Sequence, residues 1–165
     1  MNALLAAQPL RLRPLKACDL DRVLAVEQRA YSFPWTRGNF IDALAAGYLA
    51  ELWVDAHDDL VGYHVAMVGV DELHLLNLTV APQWQRLGHA RSLLDALEQH
   101  CRQHQLGSLW LEVRAGNQRA RQVYSRRGFV EVGLRRNYYP AAHGSREDAI
   151  VMSLAIAAGA GGHQR

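Results

Sequence analysis

Between Leu73 and Leu94 the chain places a strand, a short turn and a helix, and the turn carries side chains suited to a phosphate. The strand reads Glu-Leu-His-Leu-Leu-Asn-Leu-Thr-Val and is ended by Ala81-Pro82. After Gln85-Arg86-Leu87-Gly88-His89-Ala90, the residues Ala90, Leu93, Leu94 and Leu97 recur at helical spacing. A helix that starts straight after such a turn aims unpaired N–H groups at one point, and its dipole adds to them. That arrangement suits a phosphate or pyrophosphate. Gly88 permits close backbone approach, and Arg86 and Arg91 add positive charge. The alternative is an ordinary βα turn. Two further groups have weaker cases. His100 and His104 lie four apart on the helix, but no third metal ligand accompanies them, so a solvated face is the simpler reading. Cys18 and Cys101 match no metal spacing and are placed by no motif as a nucleophile.

The elements that must position these residues read in order. Leu10 to Pro14 alternates like a short strand. A helix follows, with Leu20, Val23, Leu24 and Ala30 on its apolar side and Asp19 and Asp21 in its first turn. Tyr31-Ser32-Phe33-Pro34-Trp35 is an aromatic loop, and Thr36 caps a second helix that carries Phe40, Ile41 and Leu44 and ends at Gly47. Tyr48 to Val54 and Leu60 to Val70 form an antiparallel hairpin. In the strand from Leu73 the apolar parity breaks: Leu73 and Leu75 share one face, and Leu76, Leu78 and Val80 the other. This predicts either burial on both faces or a β-bulge near Leu76 to Leu78. The helix from His89 to His104 crosses over to a parallel strand, Ser108 to Val113, in which Trp110 and Glu112 face away from Leu109, Leu111 and Val113. Asn117 caps a helix with Ala120, Val123 and Tyr124 as its inward stripe, closed by Gly128. Phe129 to Leu134 and Ala149 to Leu154 are strands, joined by a loop that contains Tyr138-Tyr139-Pro140 and His143-Gly144.

Composition narrows the class. A chain of 165 residues, half of them hydrophobic, is a globular domain with a real core. We expect one domain over residues 1–156 and a disordered, glycine-rich tail over 157–165. No run is long and apolar enough for a membrane span, and the stretch Ala3 to Ala7 lacks the basic start of a signal peptide. The two separated cysteines fit a reduced, cytoplasmic setting. A net charge of +2 is too small to imply direct nucleic-acid binding. Lys16 is the only lysine, so arginine supplies the positive charge.

Gln85-x-x-Gly88-x-Ala90 matches the Gln/Arg-x-x-Gly-x-Gly/Ala pattern of the Gcn5-related N-acetyltransferases (GNAT), and the element order resembles that family across nearly the whole chain. Within it, Phe33-Pro34-Trp35, Leu109 to Ala115, Arg135 to Pro140 and Arg146 to Ile150 resemble the bacterial ribosomal-protein alanine N-acetyltransferases. The resemblance implies an α/β (α+β) GNAT fold: a mixed, mostly antiparallel sheet of six to seven strands, about four helices, and splayed fourth and fifth strands. It also implies acetyl-CoA as donor, no metal, and as acceptor the N-terminal alanine of protein eighteen of the small ribosomal subunit. It places the pyrophosphate on Gln85, Arg86, Leu87, Gly88, His89, Ala90 and Arg91, the pantetheine arm along Leu78, Thr79 and Val80, and Asn117 against the cofactor. Glu112 matches the general base and Tyr124 the general acid. Ala90 stands where many members have a second glycine, which predicts a slightly tighter turn.

The implied chemistry is physically reasonable. An α-amino group with a pKa of about 8 must lose a proton before attacking a thioester, and a carboxylate such as Glu112 can take it, directly or through water. The thiolate leaves from a thiol of pKa roughly 8.5, for which a tyrosine hydroxyl is a workable donor. With neither cysteine placed as a nucleophile, direct transfer is favoured over an acyl-enzyme. Trp35, Tyr138 and Tyr139, as loop aromatics, are expected to wall the acceptor-peptide groove. Other readings stand beside these. Glu112 can be a structural carboxylate paired with an arginine, and Tyr124 a core residue. The fold can serve a small amine. Arg119, Arg121, Arg126, Arg127, Arg135 and Arg136 can belong to a non-catalytic ribosome- or RNA-binding module. Oligomeric state is left open.

Overall fold

The computed structural model describes residues 9–158. Seven strands and four α-helices follow one another as β1 (Arg11–Pro14), α1 (Leu20–Ala30), α2 (Arg37–Ala45), β2 (Leu49–Val54), β3 (Leu60–Val68), β4 (Glu72–Val80), α3 (His89–Gln103), β5 (Ser108–Arg114), α4 (Gln118–Arg127), β6 (Val130–Pro140) and β7 (Arg146–Ala155). The strands are hydrogen bonded in the order β1-β2-β3-β4-β5-β7-β6, with β4 and β5 parallel. The stretch Ala3 to Ala7 and most of the expected tail lie outside the described residues. The described chain forms two compact units: residues 9–65 with Asn77–Leu93, and Ala66–Leu76 with residues 94–158.

In the first unit β1 pairs antiparallel with β2, from Arg11 opposite Val54 to Pro14 opposite Glu51. As an edge strand β1 tolerates the proline at its end. Helix α1 buries Leu20, Val23, Leu24 and Val26 at helical spacing, and also Glu27. Its approach is fixed by Asp19, whose carboxylate takes two bonds from Arg13 (2.9 and 3.1 Å) and the Lys16 N–H (2.9 Å). Burial works against that charge, but the Arg13 and backbone bonds outweigh it and hold the Asp19 carboxyl below its usual range. Helix α2 opens with the expected cap: Thr36 Oγ1 accepts the Asn39 N–H at 3.2 Å, while Asn39 Oδ1 accepts the Thr36 N–H at 2.9 Å. Phe40 is buried, whereas Ile41 is exposed and outside the core.

The second unit pairs β5 with β7 and β6 with β7, both antiparallel. Leu94, Leu97 and Cys101 of α3 are buried, as are Leu109, Leu111 and Val113 of β5 and Met152 of β7. Helix α4 ends, as its sequence predicts, at Gly128 with φ of 110°. Two expectations need correction here. Helix α4 buries no residue; Val123 is exposed, and Ala120 and Tyr124 are only half-buried, so the predicted inward stripe is a partly solvated one. The predicted loop around Tyr138-Tyr139-Pro140 is strand: β6 continues to Pro140 and β7 begins at Arg146. The register slips twice along β6, between Glu131 and Gly133 and between Arg135 and Tyr139, where Asn137 adopts φ of 52° and its N–H reaches Asp148 at 2.8 Å. These irregularities broke the period-two pattern that would have marked the strand.

Candidate active site

The parallel ladder of β4 and β5 runs from Glu72 opposite Ser108 to Leu75 opposite Leu111 and stops. Both strands continue beyond it, β4 to Val80 and β5 to Arg114. Pairing of the fourth and fifth strands thus ends before either strand does. Along β4 side-chain alternation is unbroken: Leu73, Leu75, Asn77 and Thr79 are buried, and the residues between them half-buried. The apparent parity break is therefore a change from apolar to polar on one buried face. Asn77 and Thr79 meet a buried carboxylate there. Glu27 accepts the Asn77 amide (3.3 Å to each oxygen), the Trp35 backbone N–H (3.0 Å) and the Tyr63 hydroxyl. Thr79 Oγ1 donates to Asn77 Oδ1 at 2.7 Å. These donors satisfy the hydrogen-bonding capacity of the buried carboxylate.

Leu78 and Val80 turn their backbone groups to the edge opposite the one used by Thr79. Their carbonyls accept from side chains: the Tyr31 hydroxyl on Leu78 at 3.0 Å, and Gln85 Nε2 on Val80 at 3.1 Å. Although Tyr31 as a whole is 41% exposed, desolvation around its hydroxyl pushes the phenol up to about 12, so it remains a donor. On the other edge Gly62 leaves room for the Thr79 carbonyl, which would stand only 2.6 Å from a Cβ at position 62. The turn that follows has two left-handed residues, Arg86 (φ 63°) and Gly88 (φ 85°), on either side of Leu87. Such alternation makes a concave set of N–H donors, and the space above Gly88 is open. The Gly88 carbonyl accepts the first bond of α3, from Ser92 at 3.3 Å. Ala90 falls inside the helix with no positive φ, so alanine costs nothing there; the constrained residue of the turn is Arg86. Residue types, backbone geometry and open face together fit a pyrophosphate.

In the second unit Glu112 projects from β5 with its side chain only 6% exposed. His74 Nε2 stands 2.6 Å from its Oε2, and Arg135 Nε 3.2 Å from its Oε1. Glu112 thus has the arginine partner that a structural carboxylate would have, and it is also held as a base must be held. Burial, followed by the negative charge of Glu112, pushes the Tyr139 phenol well above its ordinary range. Tyr124 lies half-buried against Phe129, ring centroids 5.5 Å apart. Asn117 caps α4, its Oδ1 accepting the Ala120 N–H at 3.2 Å, which assigns its amide NH₂ as the group available to a ligand. Glu147 ties this corner together, accepting the Gly116 N–H at 2.9 Å and Arg114 at 3.1 Å.

Of the expected acceptor aromatics, Tyr138 and Tyr139 sit together on β6, edge to face at 4.9 Å, with Arg135 over the first ring and Arg114 over the second. Trp35 belongs to the first unit, where with Asn39, Asp42, Ala43 and Tyr48 it lines a hollow of about 300 Å³. Sequence reasoning missed His74, Tyr31 and Gly62. The signal for His74 was present: it is the polar residue between Leu73 and Leu75, as Glu112 is between Leu111 and Val113. Among the described residues no group of three His, Cys, Asp or Glu side chains is placed to hold a metal, and no helix is long and apolar enough to cross a membrane.

The strand that outlasts its ladder, the glycine turn and the helix behind it define an acetyltransferase of the GNAT type. Residues 20–129 match the model of the acetyltransferase (GNAT) family, and the chain belongs to that family. Among relatives, the chain is 41% identical to the [ribosomal protein bS18]-alanine N-acetyltransferase of Salmonella typhimurium over 86% of this chain and 95% of that protein. It is 37% identical to the enzyme of the same name from Haemophilus ducreyi over 82% and 93%. Its fold matches the crystal structure of the ribosomal-protein-S18-alanine N-acetyltransferase from Escherichia coli with a TM-score of 0.82 at 36% identity, covering 95% of this chain and 99% of that one.

Proposed function

We propose that this chain is a cytoplasmic, acetyl-CoA-dependent N-α-acetyltransferase whose acceptor is the N-terminal alanine of ribosomal protein bS18. The observation that carries this reading is the identity to bS18-alanine acetyltransferases over nearly their whole length. A small-amine acceptor has no comparable support.

The donor supplies an acyl thioester. Gln85 to Arg91 hold its pyrophosphate through the N–H groups of the turn and the start of α3, aided by Arg86 and Arg91. Leu78 to Val80 carry the pantetheine arm as an added strand would be carried, and Asn117 donates its amide to the cofactor. Glu112 removes the proton from the acceptor's ammonium group, and Tyr124 protonates the departing sulfur. Trp35, Tyr138 and Tyr139 hold the acceptor peptide. Fixing amine and thioester together accounts for much of the rate. Incubating bS18 with the chain and acetyl-CoA tests the acceptor: intact mass should show one added acetyl group, mapped by fragmentation to the N-terminal alanine. Acetylation of polyamines or aminoglycosides, with bS18 left unmodified, would establish the small-amine reading instead.

A further inference from the structure

We propose that His74 is a positioning residue for the base: it donates Nε2–H to Glu112 Oε2 and, with Arg135 on Oε1, fixes the carboxylate in the orientation that receives the amine's proton. This rests on the reading of Glu112 as the base. An ionised carboxylate only accepts hydrogen bonds, so the 2.6 Å contact requires the imidazole proton to sit on Nε2. The two partners are unequal. The Arg135 side chain is 53% exposed and its ion pair is screened by water, whereas His74 is only 20% exposed and makes the shorter contact. Each Glu112 oxygen keeps a second lone pair, so the carboxylate is held without being blocked.

The test compares His74→Ala, His74→Gln and Glu112→Gln in steady-state kinetics, with acetyl-CoA affinity and melting temperature measured on each. His74→Ala should lower kcat about 10- to 100-fold with acetyl-CoA affinity unchanged, because the carboxylate loses its main support. His74→Gln retains an N–H donor and should restore most of kcat. A fold-only role would not give that rescue at unchanged acetyl-CoA affinity. The proposal is overturned by wild-type kcat in His74→Ala or by His74→Gln as slow as His74→Ala. Wild-type turnover in Glu112→Gln overturns the base assignment itself; a dead Glu112→Gln beside an unaffected His74→Ala removes His74 alone.

Discussion

Glu112 shows how little a residue's type says about its role until its neighbours are known. A carboxylate between Leu111 and Val113 is visible in the sequence, and so is the choice between base and ion-pair partner. His74 and Arg135, separated from it by 38 and 23 positions, are not. General base catalysis contributes about 10²- to 10⁴-fold, so Glu112→Gln should reduce kcat by that order while acetyl-CoA titration by calorimetry stays close to wild type. The tyrosines divide differently. Tyr139 is held neutral by burial and by the charge of Glu112, and on that ground it too can donate a proton. If Tyr124 is the acid, Tyr124→Phe lowers kcat with little effect on acetyl-CoA binding, and Tyr139→Phe acts on the peptide KM. Single-turnover rates of the two variants decide the matter, because reversed effects would transfer the acid role to Tyr139.

At the scale of elements, β4 is a strand as read, and of the two readings of its parity break the unbroken alternation disfavours a bulge near Leu76 to Leu78 and leaves a strand with one face buried and the other half-buried. Hydrophobic patterning cannot see that Asn77 and Thr79 are buried beneath a charge supplied by Glu27, 50 residues away. Sequence separation also hides Gly62, 17 positions before Thr79, whose missing Cβ admits the Thr79 carbonyl. Gly62→Ala should cost about 1–3 kcal/mol in denaturant unfolding, as overpacking does, and should weaken acetyl-CoA binding by displacing Thr79. The corner before α4 makes a pH-dependent prediction. The Gly116 N–H and then Arg114 hold the Glu147 carboxyl below its ordinary value. A depressed carboxyl contributes stability that is fully present above the unfolded carboxylate value of about 4.3. That contribution is lost as pH falls through the lower folded value. Melting temperatures of wild type and Glu147→Gln should therefore converge as pH drops below this range and differ most near neutrality. A constant difference at every pH would show that the carboxylate charge plays no part.

For the molecule as a whole, element order and the parallel crossover were legible because they follow from period, length and chirality. The two-unit division was not, since β3 and β4 each pass from one unit into the other within an unbroken strand. In the proposed site the division has a counterpart, Asn117 of the second unit apart. The residues assigned to the pyrophosphate and pantetheine belong to the first unit, whereas Glu112 and Tyr124 belong to the second. Donor binding and proton transfer should accordingly respond to different substitutions. At about 100 times its Kd, acetyl-CoA should stabilise the wild type by about 2.7 kcal/mol, a rise of about 5–10 °C in Tm for a chain of this size. Glu112→Gln and Tyr124→Phe should show the same rise. Gly88→Ala places a Cβ on a residue at φ 85°, which costs roughly 1–2 kcal/mol without ligand and fills the open space where the phosphate would approach. Its Tm should be lower at the outset and should barely respond to acetyl-CoA, whereas full ligand stabilisation in Gly88→Ala would remove the turn from the donor site.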